Sequence, residues 1–188
     1  SGCVSMEEPP TQAQPNPQPV ARSVAPMPAS QAARNFVEVV RTVEPVAEAE
    51  CRVRVPRENC DFRIVIDDRP GQPANAFQTL DDTGRPILAF TLALIAEARN
   101  IDELAFVMGH EAAHHIAGHI PRQKANAAAG AVIFAGLAAL TGGDLGAIQT
   151  AQDLGASIGA RSYSKDFELE ADALGTLITK HAGYDPLR

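Results

Sequence analysis

Residues 100–118 read NIDELAFVMGHEAAHHIAG, and this stretch decides the fold of the 188-residue chain. Asn100 is a suitable helix N-cap, and Glu103 stands at the third helical position, as in a capping box. Gly118 and then Pro121 mark the end of the helix. The apolar residues recur at helical spacing: Ile101, Leu104, Ala105, Met108, Ala112 and Ile116. The stretch therefore predicts an amphipathic helix with one buried face.

Two histidines stand four residues apart in this helix, and a glutamate directly follows the first. At that spacing His110 and His114 share one helical face, one turn apart, where both imidazoles can bind one zinc ion. Glu111 can then reach a water on the metal and act as its base, the arrangement of zinc-dependent peptidases. A hydrogen-bonded cluster of structural histidines is the alternative that the pattern leaves open.

A catalytic zinc site needs a third protein ligand. His119 follows His110 by nine residues, whereas the pattern with three zinc histidines requires ten, so His119 is not expected to be that ligand. The acidic segment SKDFELEAD, residues 164–172, opens a second predicted helix. This helix is defined by the possible caps Ser162 and Ser164, the terminal Gly183, and the apolar stripe of Phe167, Ala171, Leu174 and Ile178.

The second helix carries the candidates for the third ligand. Glu168 and Asp172 lie one turn apart on the same face. Glu168 can bind zinc there, and Asp172 can accept the free N–H of a ligating histidine, which fixes that ring's tautomer. Glu170 points to the far side of the helix. It is expected to be solvated or ion-paired, and it is the alternative ligand.

Further motifs accompany the two helices. They are residues 103–114 with His119 after them, 163–175, 182–186, and upstream 75–77 followed by 87–91. These motifs resemble those of the HtpX and CAAX-prenyl-protease family of zinc metallopeptidases. The resemblance implies a zincin-like domain with this site: zinc on His110, His114 and Glu168, Glu111 as catalytic base, and Asp172 as the partner of a ligating histidine. The chain departs from the family pattern at Lys165, usually arginine, and in a longer, more polar segment between Phe77 and Ile87.

The remaining segments predict an α+β fold, mainly helical with a small sheet. Phe62–Ile66 alternates as a half-buried strand does, Ile87–Thr91 is a second predicted strand, and Thr91–Arg99 is a predicted helix. We expect Ile87–Thr91 to be the edge strand that borders the active site, where an extended substrate can pair by backbone hydrogen bonds.

An apolar, alanine-rich run at residues 127–140 separates the two motif helices. It is shorter than the roughly twenty residues that cross a bilayer, and no membrane-spanning segment or signal peptide is predicted. A buried helical hairpin is the expected structure. A mobile lid, or a surface for contact with a membrane or a partner, is the alternative.

Composition limits the domain organisation and the partners. The chain has 45% hydrophobic residues, enough for a core, and a net charge of −7 without a basic stripe, which argues against nucleic-acid binding. Residues 1–34 are largely rich in proline and poor in large apolar side chains, so they are expected to form a disordered tether. Residues 35–188 are expected to form the metallopeptidase domain.

The three cysteines predict an exported protein. Ser1-Gly2-Cys3 resembles the end of a bacterial lipoprotein signal, so Cys3 is expected to carry a lipid, and Val4 after it favours the outer membrane. Cys51 and Cys60 are then expected to form a disulfide. The alternatives are an accidental cysteine at position 3 and two reduced thiols. The predicted location is the periplasm, with a tether to the outer membrane.

The sequence thus predicts a zinc endopeptidase, with one zinc ion per chain, that acts on unfolded or extended proteins of the cell envelope. Glu111 favours an enzyme, because a zinc-binding chaperone or assembly factor without turnover could dispense with that base. Such a chaperone and a structural lipoprotein are the alternatives. An oxyanion donor is expected among His181, Tyr163 and Arg161.

Overall fold

The computed structural model describes the backbone of residues 27–162 and 164–188, and their side chains outside 155–164. Residues 1–26, with Cys3, lie outside the described part, as do the side chains of Ser162 and Ser164. The described elements are α1 (Ala29–Arg54), β1 (Arg63–Asp67), β2 (Ala76–Leu80), β3 (Pro86–Thr91), α2 (Leu92–Glu97), α3 (Ile101–Ile116), α4 (His119–Leu140), α5 (Leu145–Ser162) and α6 (Ser164–His181). The expected α+β class, mainly helical with a small sheet, is confirmed.

Helix α1 has no counterpart among the predicted elements. Its buried side chains recur every three or four positions and form one apolar stripe: Ala32, Phe36, Val39, Val43, Ala47 and Cys51. The helix begins at Ala29, so residues 29–34, expected to belong to the tether, are helical instead. The physical reason is burial, because Ala32 already belongs to the stripe, whereas the proline-rich composition stops at Pro28.

A disulfide joins the end of α1 to the segment that leads into the sheet. Cys51 and Cys60 are bonded, with their Cα atoms 5.7 Å apart. Both cysteines are buried, and Phe62 enters the same core two residues later. The bond therefore fixes where the chain enters β1.

The sheet has the strand order β1-β3-β2. Strand β3 pairs with β1 in parallel and with β2 in antiparallel orientation, so both of its edges are occupied. The expectation that Ile87–Thr91 offers a free edge is therefore wrong. The physical reason is that this run is apolar on both faces, with Leu88 and Phe90 almost fully buried, as in a central strand.

Helix α3 lies at the centre of the core, packed against α1, α6 and the sheet. Its predicted cap is confirmed, since Asn100 Oδ1 accepts a hydrogen bond from the Glu103 N–H at 2.8 Å. The Glu103 carboxylate accepts from the Arg99 N–H at 2.7 Å, one residue before the position that a capping box uses. The predicted face is buried at Leu104, Ala105, Met108, Ala112 and Ile116.

Helices α4 and α5 form a hairpin, and most of its large apolar side chains that the structure describes are exposed. Val132 is 71% exposed, and Leu140 and Leu145 near the turn are 88% and 86% exposed. The expected hairpin is therefore present, but its expected burial is wrong. Helix α4 has 22 residues because it begins at His119, and by length and composition alone it could cross a membrane. The exposure is consistent with the alternative of a contact surface.

Candidate metal centre

Three donor side chains meet where α3 faces the start of α6. His110 and His114 come from α3, and Glu168 comes from the first turns of α6. The three offer ligand atoms that all lie within 4.8 Å of one another. The two Nε2 atoms are 2.9 Å apart, and the Glu168 carboxylate oxygens lie 3.3 Å from His110 Nε2 and 3.7 Å from His114 Nε2. The structure thus brings together the residues that the sequence proposed as ligands.

This donor set fits zinc. Ligand atoms bound tetrahedrally at about 2.0–2.2 Å lie roughly 3.3–3.6 Å from one another, and the three separations in the structure, 2.9, 3.3 and 3.7 Å, lie close to that range. Two imidazoles and one carboxylate are also the ligand types of a catalytic zinc site that leaves one position open. Burial and, after it, the charge of His110 lower the pKa of His114 to about 4, so this imidazole is neutral and able to bind a metal at neutral pH.

Two glycines allow α6 to approach α3 closely enough for this contact. A Cβ added at Gly175 would lie 2.8 Å from both Cα and N of His110, and one added at Gly109 would lie 2.9 Å from the Gly175 carbonyl oxygen. The predicted stripe of α6 is confirmed around this crossing, with Phe167, Ala171 and Ile178 buried and Leu174 packed against the core. The contact at the glycines thereby places Glu168 and Asp172 beside the histidines.

Asp172 lies where its predicted role requires it. Its Oδ1 is 2.9 Å from His110 Nδ1, on the side of the ring opposite Nε2. An Nδ1–H donated to this carboxylate leaves the Nε2 lone pair directed toward the other donors.

Glu111 is buried beside the donors, with only 9% of its surface exposed. Its pKa is raised to about 7, chiefly by burial and also by the charge of Glu168, against the opposing effects of His110 and the Gln78 backbone N–H. It lines a cavity of about 400 Å³ that also contains the three donors. A carboxylate with such a pKa can take up and return a proton near neutral pH.

Strand β2 forms a wall of this cavity through Ala76, Phe77 and Gln78, together with Asn75 just before the strand. The residue pattern alone predicted no strand at this point, whereas the resemblance compared residues 75–77, with 87–91, to the family's strand segment before the zinc helix. Alternation was a weak signal here, since both Phe77 and Leu80 of this short strand remain partly exposed.

His119 and Glu170 lie next to the donors without joining them. The left-handed Gly118, with φ of 66°, turns the chain so that His119 folds back against His114. Glu170 accepts a hydrogen bond from Arg122 at 2.7 Å, which confirms the expected ion pair. That bond holds the pKa of Glu170 below its ordinary value.

One of the three candidate oxyanion donors lies away from the metal centre. His181 pairs with Glu50 at 3.1 Å at the far end of α6 from Glu168, so the expectation that it serves the site is wrong. Glu168 and His181 are thirteen positions apart, which corresponds to roughly 20 Å of helix. The side chains of Tyr163 and Arg161 lie outside the described residues.

The arrangement of donors and base agrees with a comparison of the chain with known protein families. The family model described as peptidase family M48 matches residues 33–188, which include every described helix and strand from within α1 onward. No curated protein and no solved structure matches the chain. The match covers well over half of the chain and both helices of the candidate centre. The chain belongs to peptidase family M48, a family of zinc metallopeptidases.

Proposed function

We propose that the protein is a zinc-dependent endopeptidase that hydrolyses peptide bonds in unfolded or extended proteins. Its metal ligands are His110, His114 and Glu168, and its general base is Glu111. The observation that carries the proposal is the shared cavity, where a buried carboxylate with a raised pKa lies beside a His/His/Glu donor set. A structural histidine cluster explains neither feature.

A zinc ion held by these residues would supply Lewis-acid polarisation of a peptide carbonyl and would make a water molecule more acidic. Glu111 accepts the proton of the attacking water and returns it to the amine of the leaving peptide. Asp172 holds the His110 ring in the tautomer that binds through Nε2. Burial of Glu111 restricts water around the carboxylate, which keeps its pKa near that of an effective acid and base.

Strand β2 offers the place where a substrate lies. In the described part of the chain its hydrogen-bonded strand neighbour is β3 alone, which leaves the other edge open beside the cavity. An extended peptide pairs with such an edge through backbone hydrogen bonds. These backbone hydrogen bonds depend little on which side chains the substrate carries. The enzyme should therefore select segments that are unfolded or exposed, whatever their sequence.

We expect the purified protein to bind one zinc ion and to cleave reduced, alkylated ribonuclease A at least about tenfold faster than native ribonuclease A, because only the unfolded chain can extend along β2. Chelation should abolish cleavage, and zinc should restore it where magnesium does not. The assay is product analysis by mass spectrometry. Stoichiometric zinc with no cleavage of either form, together with suppressed aggregation of the unfolded protein, would instead establish the chaperone alternative.

We also propose that the protein works in the periplasm, tethered to the outer membrane by a lipid on Cys3. The Cys51–Cys60 disulfide supports an oxidising compartment, and it leaves Cys3 as the third cysteine of the chain. With the natural precursor expressed in a Gram-negative host, we expect a lipid mass on Cys3 and recovery in the membrane fraction. Cys3→Ser should lose both, and an unmodified Cys3 in the wild type would refute the tether.

A further inference from the structure

His119 contacts His114 through Nδ1, whereas the other two donors lie near Nε2 of the same ring. Its Nδ1 lies 2.8 Å from His114 Nδ1, and its Nε2 lies 3.2 Å from Glu170 Oε2. The same carboxylate oxygen accepts from Arg122 Nη1 at 2.7 Å. Four side chains therefore form one continuous series of hydrogen bonds that begins at a proposed ligand and ends at a guanidinium.

We propose that His119 is a positioning residue that fixes the tautomer and the ring orientation of His114 for metal binding, with Glu170 and Arg122 fixing His119 in turn. The inference rests on the proposed metal centre. His119, which the sequence does not predict to be a ligand, thus has the role of supporting a ligand.

The directions of these hydrogen bonds allow one proton arrangement when a metal is bound. His114 must present the lone pair of Nε2 to the metal, so its proton sits on Nδ1 and is donated to His119 Nδ1. His119 then carries its own proton on Nε2 and donates it to Glu170. Arg122 is always charged and keeps the Glu170 carboxylate ionised, which makes it a fixed acceptor at the end of the series.

Packing holds the His119 ring in the orientation that these bonds need. The side chain is only 5% exposed, and its ring stacks on Phe167 with centroids 4.5 Å apart and an interplanar angle of 10°. The Arg122 guanidinium lies 4.5 Å from the centroid of the same phenyl ring. Phe167 directly precedes Glu168, so the stack links His119, and through it His114, to the residue before the third ligand.

The two histidine ligands are thus supported differently. His110 reaches a carboxylate directly, through Asp172 at 2.9 Å. On its Nδ1 side, His114 reaches a carboxylate, that of Glu170, through a second imidazole. Removing His119 therefore leaves the Nδ1–H of His114 without its acceptor while Asp172 still supports His110.

The test measures zinc affinity by competition with a chelating dye, and the ligand field by the visible spectrum of the cobalt-substituted protein. His119→Phe keeps an aromatic ring against Phe167 but removes both nitrogens, and we expect zinc to bind about 10- to 100-fold more weakly with a shifted cobalt spectrum. His119→Asn restores an acceptor near the Nδ1 position and should recover most of the affinity. His181→Phe makes the same change at the far end of α6 and should alter neither readout.

The outcomes separate this inference from the proposed function. Wild-type protein that binds no zinc refutes the metal centre, whatever His119 does. Wild-type protein that binds zinc, alongside a folded His119→Phe variant with unchanged affinity and spectrum, overturns the positioning role and leaves the peptidase proposal in place. If His119→Phe does not fold, Glu170→Gln decides, since we expect severalfold weaker binding and an unchanged affinity would overturn the inference.

Discussion

Replacing Glu111 with glutamine is expected to leave zinc bound and to reduce peptide hydrolysis by about 10²- to 10⁴-fold. Glutamine has nearly the same shape, and it can occupy the same buried position. It cannot accept the proton of the attacking water, so the chemical step loses its base. Zinc content and kcat on a peptide substrate are measured on the same preparation.

Glu97→Gln is the matched control for that experiment, because Glu97 is an exposed carboxylate at the end of α2 outside the cavity. It should retain full activity. Unchanged turnover in a zinc-replete Glu111→Gln protein would remove Glu111 from the mechanism. In the wild type, a bound cation opposes the effect of burial on the Glu111 pKa, so the acid limb of kcat/KM should lie below the pKa of about 7 that Glu111 has without a metal ion.

The second large effect concerns the third ligand. Glu168→Ala should weaken zinc binding at neutral pH by at least about 100-fold, because it removes one of three ligands. Glu170→Ala should weaken it by less than about tenfold, because Glu170 contacts His119 and Arg122 and does not contact the donors. The measurement is the zinc retained during dialysis against graded chelator.

These two glutamates form a well-matched pair. They are two residues apart on one helix, and their side chains are 58% and 47% exposed, so general effects of removing an acidic side chain are similar. Equal retention of zinc in the two variants, or a greater loss from Glu170→Ala, would move the ligand assignment.

Part of the centre follows from helical periodicity. The spacing of four between His110 and His114 places both rings on one face of α3, and the same spacing pairs Glu168 with Asp172 on α6. Periodicity does not say that the two faces meet. The contact between His110 and Asp172 joins residues 62 positions apart, and here the resemblance to a family supplied what local pattern could not.

Other parts of the structure depend on tertiary contacts that local pattern does not contain. The sequence shows that Ile87–Thr91 is apolar, but whether it is a central or an edge strand depends on which segments pair with it. The burial of the α4–α5 hairpin could not be predicted either, because an alanine-rich run has the same sequence pattern whether it is buried or exposed. Helix α1 did carry a readable stripe, yet Pro45 inside it and the proline-rich segment before it obscured the pattern.

The contact between Gly109 and Gly175 has a consequence for which mutations the protein can tolerate. Neither residue takes part in any chemistry. The distance between the histidines and Glu168 nevertheless depends on the absence of a Cβ atom at both positions. One added carbon atom at Gly175 would force the two helices apart and widen the triangle of donors, with every ligand still in place. Substitution of Gly109 or Gly175 by alanine can therefore abolish function although neither glycine binds metal or substrate. Inactive variants are expected at these two positions as well as at the ligands.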